Sequence, residues 1–213
     1  MLLILKIFIY LFMSIIFLFL FIQLILKSII FYKKGVEIML IGVISDTHDN
    51  RDNILKAVRI LNEKNVDILI HCGDYVAPFV RKWFDELNDS IKENFFGVFG
   101  NNDGDHPFLK KNLGQICEFV ENGNELILEK DGKRIYASHM PKPETIEALA
   151  KSGQFDIILS GHTHAMVKKK YDNGVLVINP GEVCGYLTDR ATFAIIDTEK
   201  MDAEIIYINN IYE

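Results

Sequence analysis

The sequence predicts an α/β fold with a largely parallel sheet at its core. Two observations indicate this class: short uninterrupted apolar runs of the type that form buried strands, and intervening segments with helical periodicity. The length of 213 residues suits one domain with a substantial core. No internal repeat or low-complexity linker follows residue 38 in the sequence.

The first half of the predicted domain alternates strands with helices. Leu55, Val58 and Leu61 recur at helical spacing, and Asp49 or Asn50 can cap the helix that they define. In chain order we predict a strand at 39–45, a helix at 52–64, a strand at 67–73, a helix at 78–87 and a strand at 94–100.

The second half is richer in strands. Asp131-Gly132 and Asn173-Gly174 are typical of tight hairpin turns, and Gly153 is suited to end a helix. The predicted elements are a hairpin at 125–138, a helix at 143–153, a strand at 155–161, a hairpin at 166–181 and closing strands at 191–197 and 203–208.

The first 38 residues differ from the rest of the chain. Residues 7–26 are uncharged and mostly apolar, and a helix of that length spans roughly 30 Å, the thickness of a bilayer core. Lys27, Lys33 and Lys34 follow this stretch, which predicts a membrane anchor with domain 39–213 facing the cytoplasm. The alternative is a misassigned start, with translation beginning at Met39 and the protein residing in the cytoplasm.

Charge and cysteine content exclude some classes of protein. Residues 39–213 contain 19 basic and 28 acidic residues, a formal charge of −9, so no nucleic-acid surface is evident. The three cysteines show no paired spacing, which indicates reduced thiols and not a disulfide framework.

Five apolar runs are each followed by a side chain that can bind a metal ion. Because the carboxyl ends of parallel strands share one edge of a sheet, these groups can converge in one crevice. The candidate ligands are Asp46, His48, Asp74, Asn101, His139, His162 and His164.

Carboxylate and imidazole groups suit divalent ions such as Mn²⁺, Fe²⁺ or Zn²⁺, and the lack of thiolate at these positions argues against a structural zinc site. The two oxygens of Asp74 can bridge two ions. Two divalent ions, two carboxylates and one hydroxide would carry a net charge of about +1, which would attract a phosphate to an acidic protein.

Taken singly, these residues have simpler explanations. A lone histidine at a strand end is usually a hydrogen-bonded structural residue, and a lone aspartate is usually a turn former or helix cap. We interpret His71, inside a strand, as structural and His106, before Pro107, as a loop residue. The ordered series of strand-end ligands is what favours a metal site.

These motifs resemble the calcineurin-like metallophosphoesterases, in particular the small YfcE-like phosphodiesterase branch. The resemblance covers about 39–198 and rests on SDTH (45–48), CGD (72–74), GNND (100–103), SH (138–139), GHTH (161–164) and NPG (179–181). It implies a four-layer α/β/β/α sandwich with two metal ions, manganese foremost and Ni²⁺, Fe²⁺ or Zn²⁺ as alternatives.

The resemblance also implies a role for each ligand. It assigns Asp46, His48 and His164 to one ion and Asn101, His139 and His162 to the other, with Asp74 shared. It places Asp74, Asn101 and His139 at the reacting centre. It implies hydrolysis of a small phosphodiester by a hydroxide that bridges the two ions.

Two positions depart from the pattern of the family. Asn102 stands where many members have a histidine that assists the leaving group, and Met140-Pro141 stands where relatives continue a His-Gly-His run. We therefore expect faster turnover of diesters with acidic leaving groups than of alkyl monoesters. We expect loops 102–115 and 140–145 to determine which substrates bind.

Two other functions stay open at this point. One is an interaction scaffold of the same fold, which the seven retained ligands disfavour. The other is a membrane-tethered hydrolase of lipid head groups or nucleotides, which requires residues 1–38 to be genuine. The sequence contains no signal that sets the oligomeric state.

Overall fold

The computed structural model describes residues 18–19, 21–23, 39–120 and 123–208. Residues 1–37 and 38–213 form separate units. Residues 18–19 and 21–23 are helical, and the rest of the predicted span 7–26 lies outside the described residues. Within the described residues, no helix has the length and apolarity needed to cross a membrane. The predicted boundary between residues 38 and 39 stays a prediction.

A six-stranded sheet forms the first half of the domain and also takes in the last two strands of the chain. Its strands are β1 (Leu40–Ile44), β2 (Ile68–His71), β3 (Phe95–Gly97), β4 (Glu118–Phe119), β10 (Thr192–Asp197) and β11 (Asp202–Tyr207). The order is β11-β10-β1-β2-β3-β4, with β1 to β4 parallel and β10 antiparallel to both neighbours. The carboxyl ends of β1, β2 and β3 therefore lie at one edge.

A second, five-stranded sheet comes from the middle of the chain. Its strands are β5 (Glu125–Lys130), β6 (Lys133–Ser138), β7 (Ile157–Leu159), β8 (Val167–Lys170) and β9 (Leu176–Asn179). The order is β5-β6-β7-β9-β8, and β6, β7 and β9 are parallel. Both predicted hairpins, β5–β6 and β8–β9, are confirmed.

The helices connect the strands and cover the outer faces of the sheets. They are α1 (Arg51–Glu63), a 3₁₀ turn (Pro78–Val80), α2 (Arg81–Phe84), α3 (Asp89–Lys92), α4 (His106–Leu113) and α5 (Pro143–Ser152). The side chain of Asn50 accepts a hydrogen bond from the Asn53 N–H and caps α1, while Gly153 ends α5 with a φ of 65°. Both caps agree with the sequence prediction.

Three apolar clusters separate four layers. Because side chains alternate along a strand, Ile41 and Val43 of β1 pack toward the second sheet, whereas Ile44 packs toward the helices. Ile157 and Leu159 of β7 face the first sheet. Ile158, between them, packs with residues of α5. The order helices, sheet, sheet, helix matches the predicted sandwich.

The structure corrects two sequence predictions and adds one strand. The segment predicted as one helix at 78–87 is a 3₁₀ turn followed by the short α2, and α3 comes after it. The predicted loop 102–115 contains α4, so His106 begins a helix, where its ring stacks on Phe99 at 4.1 Å. The two-residue strand β4 was not predicted, because so short a run carries no periodicity.

Candidate metal centre

The carboxyl ends of five parallel strands, three from the first sheet and two from the second, meet at one place. Hydrogen bonds join the two sheets there: the His162 N–H donates to Asp46 Oδ2 at 3.1 Å, and His139 Nδ1 lies 2.7 Å from the Cys72 carbonyl. These bonds bring the predicted ligands of the two halves of the chain together.

Asp74 lies at the centre of this cluster and is almost fully buried. Its Oδ2 is 3.4 Å from His139 Nε2 and 3.5 Å from His48 Nε2. Asn102 donates its backbone N–H to Oδ1 and its side-chain amide to Oδ2, each at 2.8 Å. Burial favours the neutral acid, but the bonds from His139 and Asn102 outweigh it and hold the pKa of Asp74 well below its ordinary value.

Asp46 is fully buried and uses its two oxygens differently. Oδ2 accepts hydrogen bonds from the Ser45 hydroxyl and the His162 N–H. Oδ1 has no hydrogen-bond donor, although His164 Nε2 and His48 Nε2 lie 3.3 Å and 3.8 Å from it. One oxygen thus fixes the side chain while the other stays available.

Two histidines are oriented by acceptors on the far side of their rings. His139 Nδ1 faces the Cys72 carbonyl, and His164 Nδ1 lies 2.7 Å from Glu182 Oε2. Because each acceptor favours a proton on Nδ1, the Nε2 lone pair of each ring points toward the carboxylates. This is the tautomer that a metal ligand requires.

Several acceptor atoms face one another without a donor between them. His139 Nε2 lies 3.0 Å from Asn101 Oδ1, and both are acceptors in that tautomer. Asp46 Oδ1 and His48 Nε2 are buried without hydrogen-bond partners. Such an arrangement is costly unless a proton or cation lies among the atoms. The donor set therefore fits divalent cations.

Ligand atoms of Asp46, Asp74 and His139 lie within 4.8 Å of one another, and so do those of His48, His164 and Cys184. Without a cation, the pKa of His48 is raised, mainly by the Asp46 carboxylate. Burial lowers the pKa of His139, but Asp74 outweighs it and the net shift is upward. Both rings thus lie in a negative field that attracts positive charge.

His162 is placed less firmly than the other six. Its ring is exposed and lies beside His139, with the ring centroids 5.3 Å apart. The contact that ties the residue to the cluster is made by its backbone N–H. The role of His162 as a ligand, like the other ligand assignments, stays a prediction.

Three residues at the site were not given a role by sequence reasoning. Buried Asp103 accepts from the N–H groups of Val76, Gly100 and Asp74, and so joins the loops that follow β2 and β3. Fully buried Glu182 holds His164, and Asn102 holds Asp74. The sequence does contain a signal for them: Asn102 and Asp103 lie within the GNND motif, and Glu182 directly follows the NPG motif.

Asp103 and Glu182 place two further buried carboxyl groups beside the two counted from the sequence. Burial raises the pKa of Asp103, and the predicted net charge of about +1 for the loaded site stays a prediction. Each of their oxygens accepts a hydrogen bond from an N–H or other donor. Hydrogen bonds from Cys184, His164 and Thr188 outweigh burial and lower the pKa of Glu182 to about 2.

Cys184 is the thiol nearest the predicted ligands. Its Sγ donates to Glu182 Oε2 at 2.9 Å, and burial followed by the adjacent carboxylate raises the pKa of the thiol well above its ordinary range. In the metal-free protein Cys184 is therefore a protonated donor that supports Glu182. All three cysteines are buried and free.

The backbone at the site is strained. Five of the predicted ligands, Asp46, His48, Asp74, His162 and His164, have φ between 40° and 66°. This left-handed conformation costs each such residue roughly 1 kcal/mol and is found mainly where surrounding structure enforces it. The backbone at residue 100 passes so close to Asp74 that it requires glycine, because a Cβ there would lie 2.1 Å from Asp74 Oδ1.

The layered fold and the carboxylate–histidine cluster define a metallophosphoesterase. The chain belongs to the calcineurin-like phosphoesterase superfamily, whose domain matches residues 39–201. The resemblance identified in the sequence is thereby confirmed.

Individual relatives agree with this assignment. A phosphodiesterase of Methanocaldococcus jannaschii is 44% identical over 164 residues, which cover 77% of this chain and 96% of that protein. The solved structure of an archaeal phosphodiesterase is 41% identical with a TM-score of 0.72, covering 79% of this chain and 99% of the other. YfcE, a phosphoesterase of E. coli, is 19% identical with a TM-score of 0.56, covers 80% of this chain and 100% of its own, and shows the fold alone.

Proposed function

We propose that this chain is a metal-dependent phosphodiesterase that hydrolyses a small phosphodiester with two divalent ions, Mn²⁺ being the preferred metal. The observation that carries the proposal is the convergence of ligand atoms that lack a hydrogen-bond partner, above all Asp46 Oδ1 and His48 Nε2, around the ionised Asp74. The name of the relative from M. jannaschii supports a diester as the substrate.

We assign one ion to Asp46, His48 and His164, the other to Asn101, His139 and His162, and Asp74 to both. Bound in this way, two divalent ions supply Lewis acidity toward the phosphoryl oxygens and lower the pKa of water at the site. Manganese suits this mixture of carboxylate, amide and imidazole ligands.

The protein's own contribution is to hold these groups in place before substrate arrives. The hydrogen bonds from Asn102 favour the ionised form of Asp74. Ser45 and the His162 N–H fix Asp46, while Glu182 fixes the ring of His164. Because the ligand atoms are already oriented, little reorganisation is needed during the reaction.

Asn102 bears on the choice of substrate. An amide does not donate a proton to a departing alkoxide, so we expect leaving groups that depart as weakly basic anions to react fastest. Its hydrogen bonds to Asp74 give it a structural task instead. This favours aryl diesters and other activated diesters over alkyl monoesters.

The test compares bis(p-nitrophenyl) phosphate with p-nitrophenyl phosphate, using the full chain stripped with chelator and then resupplied with Mn²⁺, Ni²⁺, Fe²⁺ or Zn²⁺. We expect hydrolysis to disappear on chelation and to return best with Mn²⁺, with the diester turned over faster. His162→Ala should lower kcat by at least about tenfold, as loss of a metal contact does. His106→Ala removes a ring outside the site and serves as the matched control.

Hydrolysis that survives chelation, or a faster rate on the monoester, would contradict the proposal. A chain that binds metal yet hydrolyses no ester in a panel of nucleotides, cyclic nucleotides and lipid head-group phosphoesters would favour the scaffold alternative. Activity toward lipid phosphoesters that requires residues 1–38 would favour the membrane-tethered alternative.

A further inference from the structure

Among the described residues, two neighbouring cavities adjoin the metal centre. The larger has a volume of about 470 Å³ and the smaller about 230 Å³. His139 and Met140 line both, so the two cavities are neighbours that share this pair. A phosphodiester also has two organic groups on either side of its phosphorus.

The larger cavity is mainly apolar. It lies between the start of α5 and the β8–β9 hairpin, and its apolar lining consists of Met140, Pro141, Pro143, Ile146, Val167 and Val177. The volume falls in the range of small-molecule sites, which are predominantly apolar with a few polar groups. Within the described residues, Met140 and Val167 are 55% and 41% exposed, so part of the apolar lining is accessible to a ligand.

The remaining lining residues indicate the charge of the ligand. Lys142, Lys169 and Tyr171 line the larger cavity, and no carboxylate is among its lining residues in the part of the chain that the structure describes. The Lys169 ammonium lies 4.3 Å from the centre of the Tyr171 ring. Although the domain has a net charge of −9, the lining of this cavity is locally basic, and an anion with an apolar substituent can approach it.

The smaller cavity has a different lining. Asn101, Asn124 and Ser138 are among its residues, together with Phe99. Its volume, about half that of its neighbour, accommodates a smaller and more polar group. The two subsites therefore differ in both size and polarity.

We propose that the substrate is an asymmetric phosphodiester whose bulky, aromatic or otherwise apolar group occupies the larger cavity, while its smaller group lies on the Asn101 side. This inference rests on the proposed phosphodiesterase function and specifies its substrate class. Val167 lines the larger cavity, is not one of the predicted metal ligands and acts as a specificity residue.

The experiment uses diesters that share a p-nitrophenyl leaving group and differ only in the second group. Methyl p-nitrophenyl phosphate and phenyl p-nitrophenyl phosphate release the same phenolate, so a difference in kcat/KM reports binding of the second group. We expect kcat/KM to be at least about tenfold higher for the phenyl ester, because five additional carbons are buried.

Val167→Asp places a charge on the cavity wall at an exposed strand position. It should lower kcat/KM for the phenyl ester by at least about tenfold, and that for the methyl ester, which is affected only by the added negative charge, by a smaller factor. Ile127→Asp is the matched control, since Ile127 is a 57% exposed strand residue that does not line the cavity. Circular dichroism and thermal unfolding verify that both variants fold.

Binding of phenyl phosphate and methyl phosphate, measured by calorimetry on the wild type and both variants, gives a readout independent of turnover. The phenyl compound should bind more tightly, and Val167→Asp should remove the difference. Equal kcat/KM for the two diesters, or equal loss of both in Val167→Asp, would overturn the subsite while leaving the phosphodiesterase intact. Hydrolysis of neither diester with any metal would refute the proposed function itself, and the subsite with it.

Discussion

Glu182 offers a sharp test of how this centre is held together. Its two oxygens accept hydrogen bonds from six donors: His164 Nδ1, Cys184 Sγ, the N–H groups of Tyr186, Leu187 and Thr188, and the Thr188 hydroxyl. The substitution Glu182→Gln keeps the shape of the side chain but replaces one of these oxygens with an NH₂ group. Neither orientation of the new amide satisfies all the donors.

If the NH₂ group takes the place of Oε2, it faces the Tyr186 N–H and His164 Nδ1. The ring of His164 must then accept through Nδ1 and carry its proton on Nε2, where it can no longer bind a cation. If the NH₂ group takes the place of Oε1, it faces the Thr188 N–H, which lies 2.6 Å from that oxygen. Each orphaned buried donor costs about 1–3 kcal/mol.

We therefore expect Glu182→Gln to lower the free energy of unfolding by about 1–3 kcal/mol and to weaken Mn²⁺ binding by about 10- to 100-fold. Urea unfolding of the stripped protein measures the first quantity and calorimetric titration with Mn²⁺ the second. Nitrogen-15 NMR of the stripped protein reports which nitrogen of His164 carries the proton.

Thr188→Val is the control, because the Thr188 hydroxyl bonds Oε1 and not the oxygen that contacts His164. It should cost about 1 kcal/mol of stability and leave Mn²⁺ affinity within about threefold. If Glu182→Gln binds Mn²⁺ as tightly as the wild type, with Nδ1 of His164 still protonated, then the carboxylate does not orient this ring and the reasoning is wrong.

Three further predictions follow from neighbouring contacts. Because the pKa of Glu182 is lowered to about 2 in the folded protein, the stabilisation from its carboxylate is present above pH 4.5 and is lost as the pH falls toward 2. In acid titrations of stripped protein, the difference in unfolding free energy between wild type and Glu182→Gln should shrink by up to about 3 kcal/mol over that window. A difference that stays constant with pH would contradict this prediction. Asn102→Ala removes one of two bonds to Asp74, so the pKa of Asp74 should rise and kcat should fall roughly tenfold. Asn112→Ala, at a partly exposed position on α4, is the control, and unchanged kinetics of Asn102→Ala would contradict this role for Asn102. Gly100→Ala forces a Cβ against Asp74, so it should lower the free energy of unfolding by about 1–3 kcal/mol and abolish tight Mn²⁺ binding. The control Gly104→Ala, with nothing within 4 Å of the new Cβ, should change neither quantity. A stable Gly100→Ala variant with full metal affinity would exclude the predicted clash.

Much of the fold could be predicted because its signals are local. Uninterrupted apolar runs mark β1, β2 and β7, and Asp131-Gly132 adopts the positive φ angles that its hairpin turn requires. The prediction of a loop at 102–115 is wrong for 106–113, where Pro107 lies in the first turn of a helix, a favourable position for proline. Its packing through buried Leu109 and Leu113 decides the outcome.

The sequence by itself determined which side chains end the parallel strands, and therefore which chemistry the site can support. Only the tertiary structure decided how those side chains are aimed. Asp46 is fixed by the N–H of a residue 116 positions away, and His164 by a carboxylate 18 positions further on. Such contacts depend on how two sheets and their loops approach each other, and the pattern of apolar and polar residues along the chain encodes that approach only indirectly.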